Sequence, residues 1–400
     1  MKDMKQLQHP ELLKAILSKP AAPFREKHVS KFMIQTLTEK KVPHFIDPIG
    51  NIVVGVSGAK EYSRLVKTKS TEPLRIYIAH MDHPGFHGVK WNSAREMEFE
   101  WHGGSPTQHL EGAKVWIASS SEVLESATTH AVEMNPAATA IKKGVIRFES
   151  PEVSKKYPQA REIYGGFHFR EFSWQEGDLI YSKAADDLVG SFAIVAMAID
   201  YFSDKKNKKK APLFLGLLTR AEEVGFIGAI GHLNLGWLKS AKRPLLGVSL
   251  ETSRTLPGAD IGKGPVVRLG DRYTVFDAGA LRVFSTLAQE VLPGAHQRRV
   301  MDGGSCEATA ATVFGIPCVG ISVPLGNYHN QSFEGGPDSR GSLGPAPEFV
   351  HQSDIAGLQE LCRALIRPKL DWSKPWATRQ SEFKQQIKKY APLLKEGSKL

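Results

Sequence analysis

The chain has 400 residues, 41% of them hydrophobic, enough to bury one large and one small core, and no apolar run nears the ~18 residues a membrane span needs. Its formal charge of +10 is concentrated in KKNKKK at Lys205–Lys210 and in the stretch from Lys374 to Lys399. Neither is read as a single-strand-binding surface, so nucleic acid is set aside, while acidic substrates or an anionic surface stay open. Cys306, Cys318 and Cys362 are odd in number and lack zinc spacing, the pattern of reduced thiols in a cytoplasmic protein.

The opening MKDMKQLQHPELLKAILSKP lacks a secretory apolar core followed by small residues and reads as an amphipathic helix, with the helical pattern running over 11–41. ProIleGlyAsn at 48–51 reads as a turn before a strand, Ile52–Val56. Leu74–Ala79, with β-branched Ile76 and Ile78, reads as a buried strand. From about Gly85 to Gly177 short alternating runs such as MEFEWHG, AKVWIAS and VIRFES are separated by Gly, Pro and Ser, the texture of a small all-β unit. Helix–strand alternation then returns. Leu188–Phe202 has Phe192, Val195, Ile199 and Phe202 at helical spacing, and Leu213–Leu218, Leu245–Leu250 and Val319–Val323 read as strands. Asp277–Leu292 and Ser353–Arg367 read as helices, the second capped by Ser353 with Asp354 in its first turn. Strands alternating with helices predict a central α/β sheet, with the β unit inserted between two of its strands.

Acids and histidines cluster where strand-like runs stop. They are His80 and Asp82 in IYIAHMDHPG, Asp186 in KAADDLVG, Glu222 and Glu223 in LTRAEEVG, Glu251 in VSLET and His329 in PLGNYHNQ. Strand C-termini open onto the crevice where α/β folds bind ligands. Asp82, two residues after His80, is expected to accept the proton of the ring nitrogen that does not bind metal. Asp186 can bridge two cations about 3.5–4 Å apart, while Asp187 serves as a helix cap. Adjacent buried glutamates repel, and a cation relieves this. Glu223 is therefore assigned as a ligand and Glu222 as the base that takes a proton from water and hands it to the leaving amine. Two sites result, His80–Asp186–Glu251 and Asp186–Glu223–His329, and their nitrogen–oxygen ligands suit zinc, with cobalt or manganese as alternatives.

In this order the motifs AHMDHPGF, KAADDLVG, AEEVGFIGA, LET, PGADIGKGP, GGSCEA and GNYHNQ resemble those of the glutamyl-aminopeptidase and tetrahedral-aminopeptidase family of two-metal peptidases, over roughly residues 45–330. HGGSPTQHLEGAKVWI is similar to the start of that family's inserted β domain. The resemblance implies a three-layer αβα sandwich with a central mixed sheet, formed by 1–84 and 181–400, and a β-barrel-like insertion at 85–180. It also implies Asp186 as bridging ligand, Glu222 as general base and acid, a cis Asp186–Asp187 peptide, and dimers that build larger cages. Some positions depart from the pattern. Glu251 stands where the family has Asp. Cys306 and Glu307 replace the Thr and Asp of GGGTDA. His83 and His87 are additions, read as surface residues or an accidental third metal site. NQSFEGGPDSRGSLGPAPEFV after His329 is a longer loop than the family's HSP turn, of the kind that forms a lid or selects substrate.

These residues predict metal-assisted hydrolysis of an amide at a peptide end, with removal of N-terminal residues as the leading reading. A carboxypeptidase or N-acyl amino-acid deacylase with the same centre is the alternative. It would require a basic anchor for a substrate carboxylate, for which Arg254, Arg272 and Arg340 are candidates. A non-catalytic binding protein on a peptidase fold is the third reading, which the complete series of ligands plus base argues against.

Overall fold

The computed structural model describes residues 6–207 and 210–397; Lys208 and Lys209 of the first lysine cluster and Lys399 of the second lie outside it. Its centre is an eight-stranded mixed sheet. Leu74–His80 runs down the middle, parallel to Phe214–Thr219 on one side and Leu245–Arg254 on the other. Beyond these lie Ile52–Val54 and His44–Ile46 at one edge, and Cys318–Leu325, Val266–Asp271 and Gln297–Met301 towards the other. All seven residues of Leu74–His80 are buried, as expected of a parallel strand covered on both faces.

Helices cover the sheet as the outer layers of an αβα sandwich. In Leu188–Ser203 every residue from Leu188 to Ile199 is buried, so this helix is apolar all round and lies in the core rather than over it. Gln352–Leu365 packs on it, and the Tyr77 hydroxyl reaches from the central strand to the Cys362 carbonyl at 2.8 Å, tying sheet to helix.

Between Gly85 and Phe167 six antiparallel strands close into a barrel, in the order Gly85–Ser93, Glu96–His102, Ile141–Arg147, Ala127–Met134, Lys114–Ala118, Tyr164–Phe167. Phe86, Phe99, Trp101 and Phe167 fill it, with ring centroids 5.2 Å apart for Phe86–Phe99 and 5.1 Å for Trp101–Phe167. Closure leaves the small unit without open strand edges. Ser173–Glu176 and Leu179–Ser182 do not join the barrel. They form a three-stranded sheet with Glu348–His351.

Several local expectations change. The helix over 11–41 is two helices, Pro10–Leu17 and Lys27–Glu39, because Pro20 and Pro23 cannot continue the backbone ladder. Leu245–Arg254 runs four residues past Leu250, held by pairing with Cys318–Leu325, so Glu251 lies inside a strand opposite Ser322. The helix at 352 is capped by the His351 ring, which accepts from the Ser353 amide, and Asp354 instead receives the Gly262 and Gly264 amides. The basic stretch after Lys374 forms a helix, Ala377–Gly397. Among the described residues, no helix is long and apolar enough to cross a membrane.

Candidate metal centre

The parallel register sets the site. His80 is the last residue of the central strand and pairs with Thr219, so the loop carrying Glu222 and Glu223 leaves the sheet beside it. On the other flank the pairing of the central strand with Leu245–Arg254 stops at Ser249, and Glu251 projects just beyond. Asp186 enters from the turn before Leu188–Ser203, through a cis Asp186–Asp187 peptide bond. His329 follows the strand Cys318–Leu325 with φ of 56°.

These side chains converge. Asp186 directs Oδ1 to His80 Nε2 at 3.5 Å and Oδ2 to His329 Nε2 at 3.9 Å. Glu223 Oε2 lies 3.1 Å from the same His329 nitrogen, and Glu222 Oε2 lies 3.7 Å from His80 Nε2. Among the described residues three groups have ligand atoms within 4.8 Å of one another, namely His80–Asp186–Glu251, Asp186–Glu223–His329 and His80–Glu222–Glu223. Among the described residues Asp186 Oδ1, Glu223 Oε1 and Glu251 Oε1 are buried without a hydrogen-bond partner. Buried orphans of this kind are costly unless something charged completes them, so the donor set fits divalent cations.

The electrostatics agree. Burial pushes Asp186, Glu222 and Glu251 above the ordinary carboxylate range, and neighbouring acids add to the push. Burial would also raise Glu223, but His329 beside it pulls it down to about 2. Burial would lower His80, yet Glu222, Asp186 and Asp82 together hold it well above the usual imidazole value. Carboxylates so close cannot all ionise without positive charge among them.

Asp82 differs from expectation. His80 Nδ1 lies 3.0 Å from the Asp82 backbone carbonyl, while the Asp82 carboxylate is 3.7 Å away and receives the Glu222 and Glu223 amides at 3.0 and 3.2 Å. Asp82 therefore orients the histidine through its main chain and the glutamate pair through its side chain. His83 is buried, not a surface residue. Its ring meets the Asp186 carbonyl at 2.9 Å and Asn330 Oδ1 at 3.2 Å, and burial pushes its pKa down to about 4. His87 reaches the Pro23 carbonyl. Neither belongs to a group able to hold a metal among the described residues.

Other supporting residues carry no sequence signature. Glu26 receives the Ala221 amide at 3.0 Å and the Arg220 guanidinium at 2.8 Å, and Asn51 Oδ1 receives the Arg220 amide at 3.2 Å, bracing the glutamate loop from the N-terminal segment. Glu348 receives the amides of Ala185, Asp186 and His329. The Glu307 carboxylate accepts from the Thr219 hydroxyl beneath His80. Cys306 is buried against Asp271, and burial raises its thiol pKa, which suits packing rather than nucleophilic attack.

The loop after His329 folds back on itself, with Gln331 paired to Pro345, and is pinned to the barrel. Thr107 and Gln108 amides donate to the Leu343 carbonyl, and Arg340 donates to the Glu111 and Gly112 carbonyls. Arg254 lies 3.8 Å over the Phe333 ring and, with Arg268, lines a pocket beside Glu251 and Tyr328. Arg272 donates to the Gly303 carbonyl.

A family model described as M42 glutamyl aminopeptidase matches residues 63–333, a span that carries every one of these strand-end acids and histidines. The chain belongs to the M42 glutamyl aminopeptidase family. It is accordingly a metal-dependent aminopeptidase. Similar solved structures include a TET aminopeptidase from a marine sediment Thaumarchaeota archaeon, with 17% identity over 92% of this chain and 99% of that one and a TM-score of 0.69. The Pyrococcus horikoshii TET1 peptidase, reported to assemble into a tetrahedron or a large octahedral shell, has 18% identity, 90% and 99% coverage and a TM-score of 0.68. An aminopeptidase from Desulfurococcus kamchatkensis has 18% identity, 90% and 95% coverage and the same TM-score of 0.68. At these identities the likeness is one of fold. No curated protein sequence matches the chain significantly.

Proposed function

We propose that this M42 chain removes N-terminal residues from peptides with two divalent cations, zinc by the chemistry of the ligands, held by His80–Asp186–Glu251 and Asp186–Glu223–His329. The observation that carries this reading is the Asp186 carboxylate, whose two oxygens face two different histidines while Glu223 and Glu251 offer unpaired buried oxygens. When bound, the cations would polarise the scissile carbonyl and bring the attacking water within reach of deprotonation near neutrality.

The protein's own groups do the rest. Glu222 is assigned as general base. Its amide is tied to Asp82 and its carboxylate faces the same space as His80, where it can take a proton from water and return it to the leaving amine. Asp82 is a positioning residue for both His80 and the glutamate pair. His80 and His329 are held in neighbouring faces of one cleft by Asp82 and Glu348. Division into a catalytic part, 1–84 and 181–400, and an inserted unit, 85–180, whose barrel strands lie between Gly85 and Phe167, belongs to the same proposal, as do a cytoplasmic location and assembly into homo-oligomers like those reported for the TET1 peptidase.

One observation favours the carboxypeptidase or deacylase alternative. Arg254 and Arg268 line the pocket beside Glu251, where a substrate carboxylate would find a basic anchor, whereas Arg340 and Arg272 are engaged with backbone carbonyls. The deciding experiment measures metal per chain on protein purified without chelator, together with hydrolysis of aminoacyl, N-acyl and C-terminal peptide substrates. Two metals with chelator-reversible release of N-terminal residues is the expected result. Activity confined to acylated or C-terminal substrates would replace the aminopeptidase reading, and no metal after reconstitution would remove the two-metal centre.

A further inference from the structure

We propose that the C-terminal helix Ala377–Gly397 is a docking device for an anionic lipid surface, so that the enzyme can work bound at a membrane face. None of the helix's residues is buried. Yet Phe383, Ile387, Tyr390 and Leu394 recur at spacings of four, three and four, which puts them on one stripe of an α-helix, and they are 59%, 53%, 48% and 64% exposed. Scattered exposed apolar residues need no explanation, but an aligned aromatic and aliphatic stripe on a helix with no covered face does.

The charge pattern identifies what covers it. Residues 374–397 hold six lysines and arginines against two glutamates, a large share of the chain's +10. Of the acids, Glu382 is spent on Arg379 at 2.8 Å. On a helical projection Lys384, Lys388 and Lys395 fall along one flank of the stripe and Lys389 along the other, while Pro392 falls on the opposite, polar face. Lysines on both flanks can lie along the apolar boundary and lift their ammonium groups into a layer of negative headgroups. Aromatic residues with one polar tip, such as Tyr390, suit the same boundary. Self-pairing along the stripe is disfavoured, because two copies would set lysine flank against lysine flank. Before the helix begins the chain is fixed to the body of the protein. Trp372 packs against the core with Arg75 5.4 Å over its ring, and Pro375 sits against Gly279. The site with its five candidate ligands is built from other segments, so docking would leave it intact.

The test is flotation of the full-length protein with vesicles of phosphatidylcholine, alone or mixed with phosphatidylserine. Binding to the mixed vesicles should exceed binding to neutral ones by about tenfold or more, and should be lost at about 1 M salt, where the Debye length is near 3 Å. Phe383→Ser with Ile387→Ser should abolish flotation with peptidase activity unchanged. Lys384→Gln with Lys388→Gln and Lys389→Gln, which keeps helix propensity, should remove the preference for phosphatidylserine. Equal binding to both vesicles, or wild-type flotation by either variant, would overturn the proposal. So would a fall in solution mass caused by the double serine variant, which would make the partner a second copy. No flotation by the wild type would equally overturn it and leave an acidic protein groove as the occupant.

Discussion

One carboxylate, Glu348, holds both halves of the Asp186–His329 pair. One of its oxygens receives the His329 amide at 2.9 Å, and the other receives the Ala185 and Asp186 amides at 2.7 and 3.1 Å. Glu348 is fully buried and accepts the backbone amides on both sides of the pair, so it sets where the two ligands stand relative to each other. Glu348→Gln replaces one acceptor oxygen with an amide NH2 group, which donates and cannot accept. The expected outcome is metal affinity weaker by about 10–100-fold, with the fold retained. Competition against a chelator of known affinity measures it, and wild-type affinity would show that the segment is held by other contacts.

Base and ligand can be separated at the glutamate pair. Glu222→Gln preserves shape and the amide bond to Asp82, and removes only the proton acceptor. Turnover should fall by about 10²–10⁴-fold while two metals per chain are retained. Glu223→Gln should instead lose metal, because Glu223 faces His329 at 3.1 Å. Atomic absorption on both variants, beside their rates, checks the assignment. Metal loss confined to the Glu222 variant would reverse the two roles.

Acid sensitivity has an identifiable contributor away from the cleft. Asp47 is buried, bonded to His232 at 2.8 Å and to the Asn51 side chain at 2.8 Å. Burial alone would raise its pKa, but the His232 and Asn51 bonds outweigh burial and hold it below the usual 3.8. A carboxylate depressed on folding adds stability that is fully present above its unfolded pKa of about 3.9 and is lost as pH falls through the lower folded value. Asp47→Asn should therefore be less stable by roughly 1–3 kcal/mol near neutrality. The gap to wild type should close below about pH 4. Urea unfolding midpoints across pH measure it, and a gap independent of pH would show that packing alone is responsible. Because Asn51 also supports the Arg220 amide, the variant should loosen the glutamate loop as well.

Four of the five candidate ligands are legible in sequence because they end or follow an apolar run whose length marks a strand of the central sheet, and the ends of its parallel strands share one edge; Asp186 is legible instead as one of two adjacent acids just before the apolar helix Leu188–Ser203. Their supports are not. Glu348 comes after an eighteen-residue excursion from His329, and nothing in PAPEFV marks it as facing the cleft. Glu26 follows a proline-rich break, and its partners lie some 195 positions away. Contacts of that separation are products of the fold and leave no local pattern. The role of Asp82 is half legible. Its spacing from His80 is visible, but a carbonyl at 3.0 Å competes with its own carboxylate, and only geometry decides between them. The helix at 377–397 is hidden by its lysines, which stand out in sequence only as a concentration of charge, although the four–three–four apolar spacing lies in the same letters.

The loop leaving the barrel strand Glu96–His102 packs Gly104 against His329. Gly104 follows the strand Glu96–His102, and a β-carbon built there would meet His329 Nδ1 at 1.9 Å and Cε1 at 2.7 Å. Neither partner can yield easily. His329 is stacked on Tyr328 with centroids 3.7 Å apart and has its amide held by Glu348, while the Gly104 carbonyl accepts from the buried Trp101 indole at 2.9 Å. Gly104→Ala should thus displace the imidazole rather than unfold the barrel. Overpacking of this kind costs about 1–3 kcal/mol of stability. Misplacing a catalytic group by about 1 Å costs on the order of 10²-fold in rate. Metal analysis should find the site built on His80 filled and the one built on His329 depleted, so that content drops towards half the wild-type value. Full metal content with full activity would mean the barrel loop moves aside freely and does not fix the histidine.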